Sequence, residues 1–359
     1  MKILFMYIIP GGGMDTLNRE RCRALAKRGI ECHCLYFHPG SGLQNIGAEE
    51  TIKTFVTNDP AEMIGIVNHY QYEAVVVTCA FTEVRAIRQL GYGGRIVYEI
   101  QGLGTMEEAA RKMAVSREFV ATYADAILVP ATPHVLVMCK QTFPEIMTYS
   151  FNNPLDTESF TYRSAPRREA PVAAWFGRLE YNKNWRDFLY IGYNLAERVP
   201  DLQLWMFHDH TLAEGGEQDA FERTVADLRL ENRLTLHSNV PHAQMPELFS
   251  AIGDSGGFLC ATSRVEGAPY AVIEAMSCRC PVLTTDSDGV RSAIVHNATG
   301  KYFEHGDVDG AVSEALELVG DRKLRETIRR QAKRHVEDYF SVDAYCGHFI
   351  TMLKEIGAL

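Results

Sequence analysis

The chain has 359 residues, 46% apolar and 23% charged, and its 36 Lys and Arg against 46 Asp and Glu leave a formal charge of −10. The apolar share excludes a disordered chain, and the acidic balance argues against tracking a nucleic-acid backbone, which needs an excess or a dense stripe of cations. At roughly 150 residues per domain the length predicts two domains.

The first apolar run, Ile3 to Pro10, has only Lys2 before it and no small-residue cleavage site after it, so it reads as a strand and not as a secretion signal. Helical patterns over 16–28, 61–69, 83–90 and 106–123 then alternate with the apolar runs 32–37, 74–78, 95–100 and 126–130. Strict alternation calls for parallel strands with helical crossovers, hence a doubly wound sheet. The pattern breaks at SFTYRSAPRREAP and then restarts. Strands are expected at 172–177, 202–207, 233–238, 256–261, 281–285 and 301–303, with helices at 185–197, 218–228, 245–252 and 271–277. The expected domains are 1–165 and 166–340, each Rossmann-like, with a closing helix in 341–359 packing back on the first. Sheets of this kind bind ligands at the carboxyl ends of their strands, which predicts a site in the cleft between the two halves.

Nine cysteines in apolar surroundings read as reduced thiols, and no stretch reaches the roughly 18–20 apolar residues of a membrane span. Both point to a cytoplasmic protein. Cys32-x-Cys34 and Cys278-x-Cys280 lack the spacing of zinc knuckles, and no metal ligation is expected.

The most informative segment is 263–286. It leaves an apolar run, turns at Gly267, and has Pro269 where a helix can begin. A helix N-terminus offers backbone N–H groups and a positive dipole end to a phosphate or a sugar hydroxyl. Glu266 precedes that helix and Glu274 lies about two turns on, at a similar azimuth. Taken alone, the pair reads more safely as two solvated helix charges.

The segment resembles the E-x₇-E signature of the retaining group 1 glycosyltransferases of the GT-B fold. Other motifs follow in the family's order: Gly11-Gly12-Gly13 after the first strand, Ala124-Asp125-Ala126, Asn153-Pro154-Leu155-Asp156, and Gly177-Arg178-Leu179-Glu180-Tyr181-Asn182-Lys183. The resemblance implies two Rossmann-like doubly wound domains facing a central cleft, with the acceptor on the first and the nucleotide-sugar donor on the second. It implies catalysis by Arg178, Lys183 and Glu266. Donor contacts would come from Gly12, Gly13, Gln101, Gly177, Gly267, Ala268, Pro269, Tyr270 and Glu274, with Glu274 on the ribose. Two cations near a diphosphate offset leaving-group charge without a metal, and no cofactor is expected besides the nucleoside-diphosphate sugar, with UDP the favoured base carrier.

The chain departs from the family at three points. Gln101 stands where a histidine is usual, Arg279 replaces a glycine with Asp288-Gly289-Val290-Arg291-Ser292 replacing G-G-x-P-E, and Phe207-His208-Asp209-His210 replaces a G-x-G. Asp286-Ser287-Asp288 spells a metal motif that is common by chance and sits where the family has T-D-x-G-G, and the His208–His210 pair has no evident third ligand at useful spacing. Arg19, Arg23 and Lys27, at i, i+4 and i+8, form a basic helix face that reads either as a solvated face or as one suited to an anionic or lipid-linked acceptor and to peripheral contact with the inner face of a membrane. The expected activity is transfer of a sugar to a hydroxyl of a glycan, lipid-linked or small-molecule acceptor. The alternatives are a nucleotide-sugar epimerase on the same fold and a non-catalytic nucleotide-sugar-binding protein.

Overall fold

The computed structural model describes residues 1–40, 42–43, 52–104, 106–164, 168–209 and 212–359. They form two compact units, Met1–Asp156 with Phe340–Leu359, and Thr157–Tyr339. The boundary expected between residues 165 and 166 falls outside the described residues, and the contacts divide the chain earlier, after Asp156. Side chains hidden in an irregular stretch are the reason. Ser277 Oγ donates to the Phe160 carbonyl (2.6 Å), Tyr162 OH to Asp254 (2.8 Å) and the Arg163 N–H to Ser250 Oγ (2.9 Å), which anchors this segment in the second unit.

The first unit holds seven strands: β1 (Lys2–Tyr7), β2 (Glu31–Tyr36), β3 (Thr54–Val56), β4 (Ala74–Thr78), β5 (Arg95–Glu99), β6 (Ala126–Val129) and β7 (Thr148–Ser150). Their order is β3-β2-β1-β4-β5-β6-β7, all parallel. Successive side chains of a strand point to opposite faces: Ile3 and Phe5 enter one apolar cluster, Leu4 and Met6 the other. All five residues of β4 are buried, as befits a central strand covered on both faces. The crossovers are α1 (Gly12–Ala26), α2 (Pro60–Tyr70), α3 (Phe81–Gln89), α4 (Met106–Tyr123) and α5 (Pro133–Thr142). Asp59 caps α2 by accepting from the Ala61 N–H at 2.8 Å, with Pro60 pre-set for the first turn. β3, α5 and β7 were not anticipated, since three-residue edge strands are too short to display a period.

The second unit holds β8 (Val172–Phe176), β9 (Gln203–His208), β10 (Leu234–Ser238), β11 (Phe258–Ala261), β12 (Val282–Thr285) and β13 (Lys301–Phe303), in the order β10-β9-β8-β11-β12-β13. These strands too are parallel. Around them lie α6 (Trp185–Ala196), α7 (Glu217–Asp227), α8 (Met245–Asp254), α9 (Tyr270–Ser277), α10 (Val308–Gly320) and α11 (Arg322–Tyr339). The order reverses between β8 and β11, which pair directly, so the segments leaving their carboxyl ends are neighbours.

The last helix, α12 (Val342–Glu355), lies in the first unit. Ser341 caps it, and Tyr345, Cys346, Phe349, Met352 and Leu353 are buried with Ile3, Phe5, Cys22 and Leu25. Each such side chain contributes about 1.5–3 kcal/mol by burial. All nine cysteines are free thiols, and among the described residues no helix is long and apolar enough to cross a membrane.

Candidate functional site

The switch point of the second unit gathers most of the residues that the motifs single out. β8 ends at Phe176 and the chain turns through Gly177, whose N–H donates to the Phe207 carbonyl at 3.1 Å. A Cβ at Gly177 would stand 2.8 Å from the Trp175 ring and 3.1 Å from Lys183 Cγ, so close packing calls for glycine here. Thr262, just past β11, accepts from the Trp175 indole at 3.0 Å, and its hydroxyl lies 2.9 Å from both the Lys183 and Asn184 carbonyls. Asn182 completes the strap. Its amide donates to the Val265 carbonyl (3.1 Å) and accepts from the Val265 N–H (3.2 Å), while its carbonyl takes the Arg264 N–H (2.8 Å).

That strap brings Lys183 Nζ to 2.5 Å from Glu266 Oε1. Arg178 pairs with Glu180 at 2.8 Å and remains more than half exposed. Burial pushes the Glu180 carboxyl above its ordinary value, against the opposing pull of Arg178 and Lys183. Two cations and two carboxylates are thus held together at the ends of adjacent strands, open enough to exchange a carboxylate partner for an incoming phosphate oxygen. Neither Glu180 nor Asn182 was assigned a role from sequence, although both stand inside the motif that contains Arg178 and Lys183.

Gly267, Ala268 and Pro269 link Glu266 to α9, which begins at Tyr270; Pro269 is the flanking residue, one position before the first helical turn where it was expected. The Tyr270 N–H bonds the Ala268 carbonyl at 3.0 Å, and no side chain caps the helix. Gly289 lies directly against this link: its N–H donates to the Glu266 carbonyl at 3.1 Å, and a Cβ there would come within 2.2 Å of that oxygen. The altered 288–292 stretch therefore keeps the one glycine its neighbour requires. Asp286 forms a two-pronged pair with Arg291 (2.8 and 2.6 Å). The side chain of Asp288, and His210 of the other metal-like triplet, lie outside the described residues. Glu274 takes a partner of its own, His242, whose Nε2 lies 2.9 Å from Oε1.

In the first unit, Gly12 adopts φ +59°, which glycine enters without a steric cost, and opens α1 with Gly13 next, so the helix starts four residues before the expected position. Gln101 is engaged on both ends of its amide. It donates to Glu99 (2.9 Å) and Asn153 (3.2 Å) and accepts from Asn153 (2.7 Å). Glu99 is buried and receives Arg21 on both oxygens (2.8 and 2.9 Å) and the Thr78 hydroxyl (2.6 Å). A carboxylate closing an otherwise apolar strand was the signal for this network in the sequence.

The basic helix face is not a free cationic surface. Arg19 is buried and pairs with Asp15 at 3.1 Å, and Arg23 pairs with Glu20 at 2.9 Å, which leaves Lys27 as the exposed cation of the three. The i, i+4 spacing is real, but α1 turns much of that face inward with acidic residues from its own sequence beside it.

Residues 158–335 match the family model described as glycosyl transferases group 1. Among curated proteins, the chain is 23% identical over 166 residues to 2-deoxystreptamine N-acetyl-D-glucosaminyltransferase of Niallia circulans, covering 46% of this chain and 40% of that one. It is 36% identical over 84 residues to a capsular polysaccharide biosynthesis glycosyltransferase of Staphylococcus aureus, covering 23% and 22%. Matches to the curated relatives span less than half of each relative's length. Among solved structures, Anabaena HepE in complex with UDP and glucose superposes with a TM-score of 0.83 at 17% identity, covering 99% of this chain and all of that one. Sucrose-phosphate synthase from Thermosynechococcus elongatus gives 0.81 at 16% identity, with both chains covered in full.

Proposed function

Residues 158–335 match the family model of the group 1 glycosyl transferases and the chain has the two parallel-sheet α/β units of the GT-B fold, and from this premise we propose that it transfers a sugar from a nucleoside-diphosphate donor to an acceptor hydroxyl with retention at the anomeric carbon. UDP is the favoured carrier, a choice supported by the UDP that HepE binds in its crystal structure. The acceptor class is a glycan, a lipid-linked sugar or a small molecule.

The Lys183–Glu266 contact carries the reading. A diphosphate arriving at the ends of β8 and β11 draws Lys183 and Arg178 from their carboxylate partners, and each charge-assisted hydrogen bond contributes about 1.5–3 kcal/mol. As the bond from the anomeric carbon to the diphosphate oxygen lengthens, the two cations stabilise the charge that the departing group takes with it, which needs no metal. Glu266 then stands beside the donor sugar, where its carboxylate accepts from a hydroxyl. The N–H groups from Gly267 to Tyr270 supply further donors, and Glu274 binds the ribose. The acceptor hydroxyl forms its bond to the anomeric carbon on the face that the diphosphate leaves, and its proton passes to the departing diphosphate oxygen.

Lys183→Ala should lower donor turnover by about 10² or more, by analogy with loss of one preorganised donor to developing charge, while thermal unfolding stays near that of the wild type. Turnover within threefold of the wild type would refute the assignment. An isomerised sugar released from donor alone, with no transfer to any acceptor, would replace it with epimerase chemistry.

A further inference from the structure

The donor chemistry just described makes no use of His242, yet this side chain is fixed with some care. It opens a one-turn 3₁₀ helix, His242–Gln244, after β10. Its ring packs on Phe160 with centroids 4.9 Å apart, and Phe160 in turn meets Phe249 of α8 at 6.2 Å. The Phe160 carbonyl is held by Ser277 Oγ at 2.6 Å. Ser277 and Glu274 both lie on α9, so the histidine and the carboxylate it touches are referenced to the same helix. His242 Nε2 is 2.9 Å from Glu274 Oε1, and the Glu274 side chain is only 9% exposed.

A carboxylate that far from water is costly unless its oxygens are hydrogen-bonded. It has about four lone-pair sites, and one fixed donor on Oε1 stops the group from rotating about its last side-chain bond. Its other oxygen then keeps a defined direction. We propose that His242 is a positioning residue: it clamps Oε1 of Glu274 so that the carboxylate meets the vicinal hydroxyls of the donor ribose without first having to be ordered. The inference rests on the assignment of Glu274 to the ribose made above, and adds to it the residue that sets the carboxylate's orientation.

The test is calorimetric titration of UDP and of 2′-deoxy-UDP into the wild type, His242→Ala and His242→Gln, with circular dichroism to confirm folding. A hydrogen bond to a charged group is worth about 1.5–3 kcal/mol, or roughly 10- to 150-fold, so the wild type should prefer UDP by tenfold or more. His242→Ala should bind UDP about tenfold more weakly, bind 2′-deoxy-UDP almost as the wild type does, and so lose most of that preference. His242→Gln, which keeps a donor N–H, should restore it. Equal losses for the two nucleotides, or a Gln variant that behaves like Ala, would overturn the role of His242 alone. A wild type that binds both nucleotides equally would remove Glu274 from the ribose, overturning that assignment and this inference with it.

Discussion

Both units are parallel sheets whose strand order reverses beside their first strand, and they treat the polar groups at that point in opposite ways. In the first unit the Arg21–Glu99 pair is sealed, with side-chain exposures of 0% and 1%. In the second the Lys183–Glu266 pair stands at 26% and 18% exposure, with Arg178 more open still at 55%. A sealed pair has no route to a new partner: Thr78 and Gln101 donate to Glu99, Arg21 donates to Glu99 and Asn18, and removing one charge strands the other. A half-open pair keeps its charges near water, costs less to separate, and can exchange a carboxylate for a phosphate. One topology thus supplies a sealed ion pair in one place and a solvent-accessible one in the other.

Paired substitutions can break that contrast. The largest effect belongs to Glu99→Gln, which leaves the buried Arg21 charge uncompensated and should cost about 3–5 kcal/mol in denaturant unfolding. Glu266→Gln should cost under about 1 kcal/mol, because its partner is solvent-accessible. Similar losses for the two variants would erase the distinction.

Next come two glycines with different grounds for being glycine. Gly289→Ala forces a Cβ against the Glu266 carbonyl, so it should cost about 1–3 kcal/mol and lower turnover by displacing Glu266. Gly12→Ala has open space but a left-handed backbone, so its cost to stability should be about 1–2 kcal/mol of conformational strain. Unfolding curves of both variants check the ranking; it fails if Gly12→Ala is the more destabilising of the two.

The smallest effect concerns pH. Hydrogen bonds from Arg186 chiefly, opposed by burial and aided by the Trp185 indole, hold the Glu217 carboxyl below its ordinary value. A lowered folded value means that the pair stabilises the protein above the ordinary carboxylate range of about 4.3 and that this contribution disappears as pH falls through the folded value. Glu217→Gln should therefore be less stable than the wild type by under about 1 kcal/mol at pH 7, with the gap narrowing in acid. A gap that widens as pH falls would reverse the sign.

Much of this was legible in the chain itself. The apolar runs from Ile3 and from Val172 announced parallel strands because both faces of such strands are covered, and the motif residues 177–183 and 263–274 occupy the ends of two adjacent strands. Partners remote in sequence were invisible. Glu274 meets His242, Gln101 meets Asn153, and Gly289 meets Glu266 only once the crossovers have brought distant loops together. The basic spacing of Arg19, Arg23 and Lys27 misled for a related reason: helical periodicity tells which residues share a face, while Asp15 and Glu20 and the burial of α1 decide what that face presents.

Arg178 and Lys183, which follow β8, are the cations proposed to hold the diphosphate of the donor. Calorimetric titration of UDP into the wild type and Lys183→Ala, with Glu266→Gln alongside, tests that role most directly. Lys183→Ala should bind UDP at least tenfold more weakly, from the loss of one charge-assisted hydrogen bond, and Glu266→Gln should retain or raise UDP affinity, because Lys183 no longer has a competing carboxylate. Identical UDP affinity in the wild type and Lys183→Ala would contradict it.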